Sequence, residues 1–279
     1  MGIIVNGGTQ NYNGMLLSIQ HRLDHGITFN ANYTWSHCIG DYTGRSNSGY
    51  GSSAASTFQD PNNHRLDRAN CESDQRNNFN LSALAVAPQF QNHILNLVAS
   101  GWKLSGLYRI GTSGNIIPGN GATGARTVTL GTPTSSSRTT SGVDICLCDV
   151  QNPRPDLLLP NAVYLDKSGR PNTQYLNPAA FGTPQVGTLG NLGRVTLVFP
   201  LMTQFDLSLS RVFKIRESQS IEIRADAFSV LNNFRPGNMP ASSAQTSSIV
   251  DTNLNSATFG KLRYALDPRI MQFAIKYVF

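Results

Sequence analysis

An all-β fold, built from the antiparallel strands of a transmembrane β-barrel, is what this 279-residue chain predicts, on three observations. Segments of about ten residues alternate apolar and polar side chains. The connections between them alternate short and long, as periplasmic turns and extracellular loops do in such barrels. The chain also stops on an alternating strand that ends in an aromatic, Phe279. Successive side chains of a strand point to opposite sides, so Phe273, Ile275, Tyr277 and Phe279 share one face, and Gln272, Ala274 and Lys276 the other. A frayed terminus has no use for this pattern. The strand therefore reads as the closing strand of the barrel and its assembly signal.

Composition agrees with that class. Only 39% of residues are hydrophobic and 14% charged, both low for a soluble domain. Gly, Ser, Thr and Asn fill the gap, and they favour strands, turns and polar loops over helices. No apolar run approaches the roughly 18 residues of a transmembrane helix, a test that barrel strands of about 9–11 residues escape. The formal charge of +6 comes from Lys and Arg scattered along the chain, not clustered with aromatics, which argues against a nucleic-acid partner. Residues 1–6 lack the basic start, apolar core and cleavage site of a signal peptide.

Taken in order, residues 11–22 read as a first strand and 23–26 as a tight polar turn. Ile27, Phe29, Ala31, Tyr33 and Trp35 then alternate with Thr28, Asn30, Asn32, Thr34 and Ser36 without exception. Residues 38–76 form a long polar loop. Phe79, Leu81, Ala83 and Ala85 mark a third strand that Pro88 ends, and a short link over 88–100 leads to a fourth, with Trp102, Leu104, Gly106, Tyr108 and Ile110 on its apolar face. From 111 to about 202 the chain is irregular, with a possible short strand at 195–199. Phe205, Leu207, Leu209 and Phe213 resume the pattern, and after a turn at 214–219 so do Ile221, Ile223, Ala225 and Ala227. A polar loop over 232–266 precedes the terminal strand.

About seven strands result, a partial barrel. Complete bacterial barrels usually have an even strand count, so the chain is expected to lack upstream strands, which also accounts for the missing export signal.

Tyr33, Trp35 and Trp102 lie near strand ends on the apolar side, like Tyr277 and Phe279, and are assigned to aromatic girdles at the lipid interface. The competing reading makes them core aromatics of a soluble sandwich. Arg211 falls on apolar parity between Leu209 and Phe213, where a midplane charge costs about 2–4 kcal/mol. Either it snorkels near the periplasmic end or a bulge reverses its face. Asp206, Glu222, Arg224 and Asp226 share the polar face of one hairpin and are read as a lumenal charge network, with Arg224 pairing Asp206 or Asp226; a solvated face is the alternative.

No enzyme is expected, because no nucleophile stands in a G-x-S-x-G or comparable context. His37, beside Cys38, reads as a loop-base residue. Asp60, Asp67, Glu72 and Asp74 lack EF-hand spacing, and Cys146-Leu-Cys148 has no His nearby, so neither a metal nor a cofactor is expected. Four cysteines in loop regions suit disulfides in an oxidising compartment. Cys38 stands where a strand enters its loop and Cys71 near the return, which predicts a Cys38–Cys71 clamp. Cys146–Cys148 is the second predicted pair, although bridging residues so close in sequence is strained.

Several segments resemble a known family. Tyr12-Asn-Gly-Met-Leu-Leu-Ser-Ile-Gln-His-Arg22, Asn32-Tyr-Thr-Trp-Ser-His-Cys38, Asp67-Arg-Ala-Asn-Cys-Glu-Ser-Asp74 and Gly101-Trp-Lys-Leu-Ser-Gly106 carry the first half of the resemblance. Leu176-Asn-Pro-Ala-Ala-Phe181, Gly190-Asn-Leu-Gly-Arg194, Phe205-Asp-Leu-Ser-Leu-Ser210, Arg224-Ala-Asp-Ala-Phe-Ser-Val-Leu-Asn-Asn-Phe234, Phe259-Gly260 and Asp267-Pro-Arg269 carry the second. Together they look like the C-terminal part of an acidobacterial-type TonB-dependent receptor with an Oar-like β-barrel. The resemblance implies a barrel of about 22 strands around an N-terminal plug, of which this chain holds roughly the last third. It further implies energy-coupled uptake of a solute that the loops do not identify. The implied partners are outer-membrane lipid, the barrel assembly machinery and, only through a plug domain without counterpart here, the TonB complex. The alternative function is a secreted β-sandwich adhesin or glycan-binding module with long loops.

Overall fold

The computed structural model describes residues 8–24, 26–41, 63–71, 74–112, 154–165, 173–185, 188–193, 197–198, 201–216, 219–235, 250–251, 254–262 and 265–279. Its strands are β1 (Gln10–Asp24), β2 (Ile27–Gly40), β3 (Ala69–Asn70), β4 (Asn77–Val86), β5 (Trp102–Gly111), β6 (Asp156–Leu157), β7 (Phe181–Gly182), β8 (Met202–Arg216), β9 (Gln219–Phe228) and β10 (Ile270–Val278). Among the described residues one α-helix, α1 (His93–Ala99), joins β4 to β5.

The seven long strands form one meander in the order β1-β2-β4-β5-β8-β9-β10, each antiparallel to the next. Pairing is set by the side-chain pattern, because a one-residue slip would turn a strand's apolar set to the wrong face. The row Ile27, Ala85, Leu104, Leu209, Ala225 and Phe273 crosses six strands and is apolar throughout. Three rows further out, Leu17, Tyr33, Phe79 and Ile110 continue the same face. Every pairing in this sheet is antiparallel, whereas a sandwich needs a second sheet of comparable size. Among the described residues the other sheet is only the two-residue pair β6–β7, which sets the sandwich alternative aside.

The β1–β2 turn shows how tightly the short connections are built. Gly26 has φ +79°, a conformation that side chains with a Cβ disfavour, and a Cβ there would lie 2.6 Å from the Val86 carbonyl oxygen. That same stretch of β4 donates the Val86 N–H to the Gly26 carbonyl at 2.7 Å.

The short 88–100 link contains α1, capped at its start by Asn92 Oδ1, which accepts from the N–H groups of Ile94 and Leu95. Two expectations need correcting. At 195–199, Leu197 and Val198 are described and are not in a strand; the rest lies outside the described residues. The second is that the region from 111 to 202, read as irregular loop, contributes a packed core. Tyr175, Leu176, Ala180, Phe181, Leu192 and Leu197 meet Val250, Phe259 and Leu262 from the β9–β10 connection in one buried cluster.

This outer cap is held by backbone bonds as well as packing. The N–H groups of Tyr175 and Leu176 donate to the Gly260 carbonyl at 2.7 and 3.0 Å, and the Gly260 N–H donates to the Asp251 carbonyl at 2.8 Å. Buried Gln174 donates from Nε2 to the carbonyls of Leu176 and Phe259, 2.8 Å each. The Phe181 and Phe259 rings meet edge to face at 5.5 Å. Thus described parts of the connection after β5 and of the β9–β10 connection pack onto one another.

Candidate functional site: membrane face, lumenal trough and outer cap

The membrane face is the continuous apolar side of the sheet. Phe273 and Ile275 of β10 are 77% and 78% exposed, and Phe279 is 90% exposed. In water such a surface would be costly, at about 25 cal/mol per Å² of apolar area; in lipid it is the natural outer wall. Toward the long-loop end the face carries a band of aromatics. Phe79 and Tyr108 are 6.3 Å apart and Tyr108 and Phe205 5.9 Å apart, both edge to face, and Tyr33 donates its hydroxyl to Asn77 Oδ1 at 2.7 Å. Trp35 pairs in register with Met15 and Asn77 beyond that band. At the short-turn end stand Trp102, Phe213 and the stacked pair Tyr277 and Phe279, with ring centroids 5.9 Å apart. From Trp102 to Ile110 along β5 is roughly 27 Å at about 3.4 Å per residue, enough for the apolar band of a barrel wall.

Arg211 stays on this apolar face, opposite Trp102 and Ile223 with no register shift at its position. The bulge explanation is therefore wrong. Its charge is met by main-chain oxygens: Nη1 donates to the Val98 carbonyl at 2.8 Å and Nη2 to the Leu97 carbonyl. Its guanidinium carbon lies 5.5 Å from the Trp102 ring centre and 4.5 Å from that of Phe213, close enough for cation–π attraction.

The opposite face carries a trough of about 370 Å³, lined by polar side chains, Asn30, Ser82, Ser105, Asp206, Arg224 and Asp226 among them, and by the apolar Leu84, Leu107 and Phe228. Its four singled-out charges do not form one network. Arg224 Nε donates to Asp226 Oδ1 at 2.9 Å, a same-strand pair on the trough side. Asp206 serves a different end: its Oδ1 accepts the Ser229 N–H at 2.8 Å and its Oδ2 the Gln204 amide at 2.6 Å. That carboxylate holds the turn after β9, where Ser229 takes the unusual φ of 53°. Glu222 faces Lys276 across β9 and β10, and no ion pair joins it to the other three among the described residues.

Cys38 and Cys71 are joined by a disulfide, Cα atoms 5.3 Å apart. Around it the loop returns to the sheet in ordered fashion: the Cys71 N–H donates to the Cys38 carbonyl at 3.0 Å, and buried Asp74 accepts the Cys38 N–H at 2.8 Å. His37 meets Asn70 Oδ1 at 3.1 Å through a ring nitrogen. Cys146 and Cys148, like Asp60 and Glu72, lie outside the described residues.

Sequence reasoning missed two features that fasten the outer cap. Arg154 and Asp67, from different long loops, form a buried ion pair. Asp251, almost wholly buried, accepts from the Ser256 and Thr258 hydroxyls at 2.6 Å each. The only foretaste in the sequence is the recurrence of Leu, Phe and Val among Pro, Gly and Asn in segments otherwise read as loops.

A meander with one predominantly apolar face, aromatics at both of its ends, short turns on one side and folded loops on the other defines a membrane-spanning β-barrel protein. The chain belongs to the family described as outer membrane beta barrel domain, whose model matches residues 1–272. Its location is accordingly the outer membrane, and the short-turn end, where Phe279 sits, is the periplasmic one. No curated protein and no solved structure matches it.

Proposed function

We propose that the chain is the C-terminal barrel portion of a TonB-dependent receptor that takes up a solute across the outer membrane. The observation that carries this reading is the open sheet: β1 and β10 each pair along one edge only among the described residues. In a bilayer every backbone N–H and C=O must be paired within protein, so seven strands with two free edges are a sector of a wider wall. Wide outer-membrane barrels of about 22 strands enclose a plug, and the order and spread of the segments that resemble such receptors favour the same answer. The trough face is the lumenal one, and Arg224 with Asp226 gives it local charge. No part of the chain is assigned catalysis, metal or cofactor binding. Coupling to the TonB complex runs through a plug domain and not through these strands. Phe273, Ile275, Tyr277 and Phe279 serve as the signal read by the barrel assembly machinery.

The test is uptake in cells carrying the complete gene product. A deletion strain grown on arrays of scarce nutrients identifies the solute, and its uptake is expected to stop in a strain lacking the inner-membrane coupling protein. Uptake that persists without coupling, or a freely conducting pore in planar bilayers, overturns the reading.

A further inference from the structure

The link at the periplasmic end holds an element whose apolar side chains are open to the surroundings. None of the residues of α1 is buried, and at about 100° per residue Ile94, Leu95, Leu97 and Val98 fall on one arc, with His93 and Asn96 behind. Ile94 is 72% exposed and Leu97 64%. A seven-residue helix does not hold itself together in water, so its position has to be imposed.

What imposes it comes from the lipid-facing side of the sheet. Arg211 donates to the carbonyls of Leu97 and Val98, and the Trp102 indole Nε1 donates to the Val98 carbonyl at 2.9 Å. Trp102 and Arg211 are cross-strand partners on the apolar face. The C-terminus of α1 is therefore fastened to the membrane face at its periplasmic edge, which holds exposed Leu97 and Val98 beside that face. The last carbonyls of a helix attract a cation, so the same contact satisfies both the helix end and a charge that would otherwise face lipid.

We infer that α1 is an interfacial anchor, lying in the headgroup–acyl boundary of the periplasmic leaflet with Ile94, Leu95, Leu97 and Val98 against phospholipid, and that Arg211 is the clamp that sets it there. Amphipathic helices bury their apolar faces at this depth, and a long basic side chain brings its charge to headgroup level. The inference rests on the membrane location alone and does not depend on transport.

The test places a photoreactive benzophenone amino acid at Ile94, at Leu97 or, as control, at Asn96 of the complete gene product in intact outer membranes. After irradiation, mass spectrometry is expected to find phospholipid adducts several-fold more at 94 and 97 than at 96. Adducts to a periplasmic protein or to a second copy, or equal labelling at all three positions, overturn the anchor. Separately, Arg211→Gln, without any photoreactive residue, is expected to speed hydrogen exchange at the Asn96 amide, which donates to the Asn92 carbonyl at 2.8 Å. Unchanged protection in that variant overturns the clamp, and the adduct pattern remains decisive if the variant does not assemble.

Discussion

Arg154 and Asp67, side chains each about 4% exposed, form an ion pair at 3.3 Å between the connection after β5 and the connection after β2. Arg154 also donates to the Leu66 carbonyl at 3.1 Å. Two long outer loops are thereby locked to one another next to the cap core. Removing one partner of a buried pair leaves the other charge stranded, at a cost of about 3–5 kcal/mol. Arg154→Met and Asp67→Asn are each expected to open the cap to proteolysis while the strands stay protected, and the double variant Asp67→Leu/Arg154→Met to restore part of the resistance. Limited proteolysis of intact cells checks this.

Reduction of Cys38–Cys71 acts at the neighbouring loop. Closing a loop of sequence separation 33 restricts the unfolded chain by about 3–4 kcal/mol in the loop-entropy model. Cys38→Ser/Cys71→Ser is expected to lower the temperature at which the protein loses its fast-migrating folded form on unheated gels. The β2 end, where Cys38 accepts from the Cys71 N–H, is expected to show the largest gain in hydrogen exchange.

At the outer end of β2, buried Asp41 accepts the Thr9 N–H at 2.5 Å and the Thr9 hydroxyl at 3.1 Å. Burial by itself pushes the carboxyl up, but the hydrogen bonds from Thr9 and from its own N–H, with the field of His64, outweigh burial and hold it below the usual range. A depressed folded value means stabilisation that is complete above the unfolded value of about 3.9 and disappears as pH falls through the folded value. The Thr9 amide is therefore expected to remain protected at neutral pH and to lose protection in that acid window. Asp41→Asn is expected to remove the pH dependence, as read by hydrogen exchange.

Deleting Phe279 removes the most exposed aromatic among the described residues and the partner of Tyr277 without breaking a ladder hydrogen bond of β10, which ends at Val278. If the ending is read during assembly, the deletion is expected to cut the yield of folded protein in the outer membrane strongly and to leave the stability of whatever does fold nearly unchanged. Equal yields of the two proteins would remove the assembly role.

The strands were legible because side-chain direction in a strand is a local property of period two. Ile27 through Trp35 could be assigned to one face from the chain alone, and the pairing of that face with Phe79, Tyr108 and Phe205 follows once neighbours are antiparallel. α1 was not legible: seven residues after a proline carry little periodic signal, and its fixation depends on a residue in β8. Arg211 looked out of place for the same reason, since its acceptor at Val98 is 113 positions away.

By itself the sequence determined the membrane-facing alternation and the order of short and long connections, both of which follow from the geometry of single strands and turns. Tertiary structure decided the rest. The cap core of Leu176, Phe181, Val250 and Phe259, the Arg154–Asp67 pair and the Arg211 clamp on α1 join groups remote in the chain and without period. Their energies arise from mutual burial and from satisfying charges and carbonyls away from water, conditions that exist only once the strands have brought those groups together.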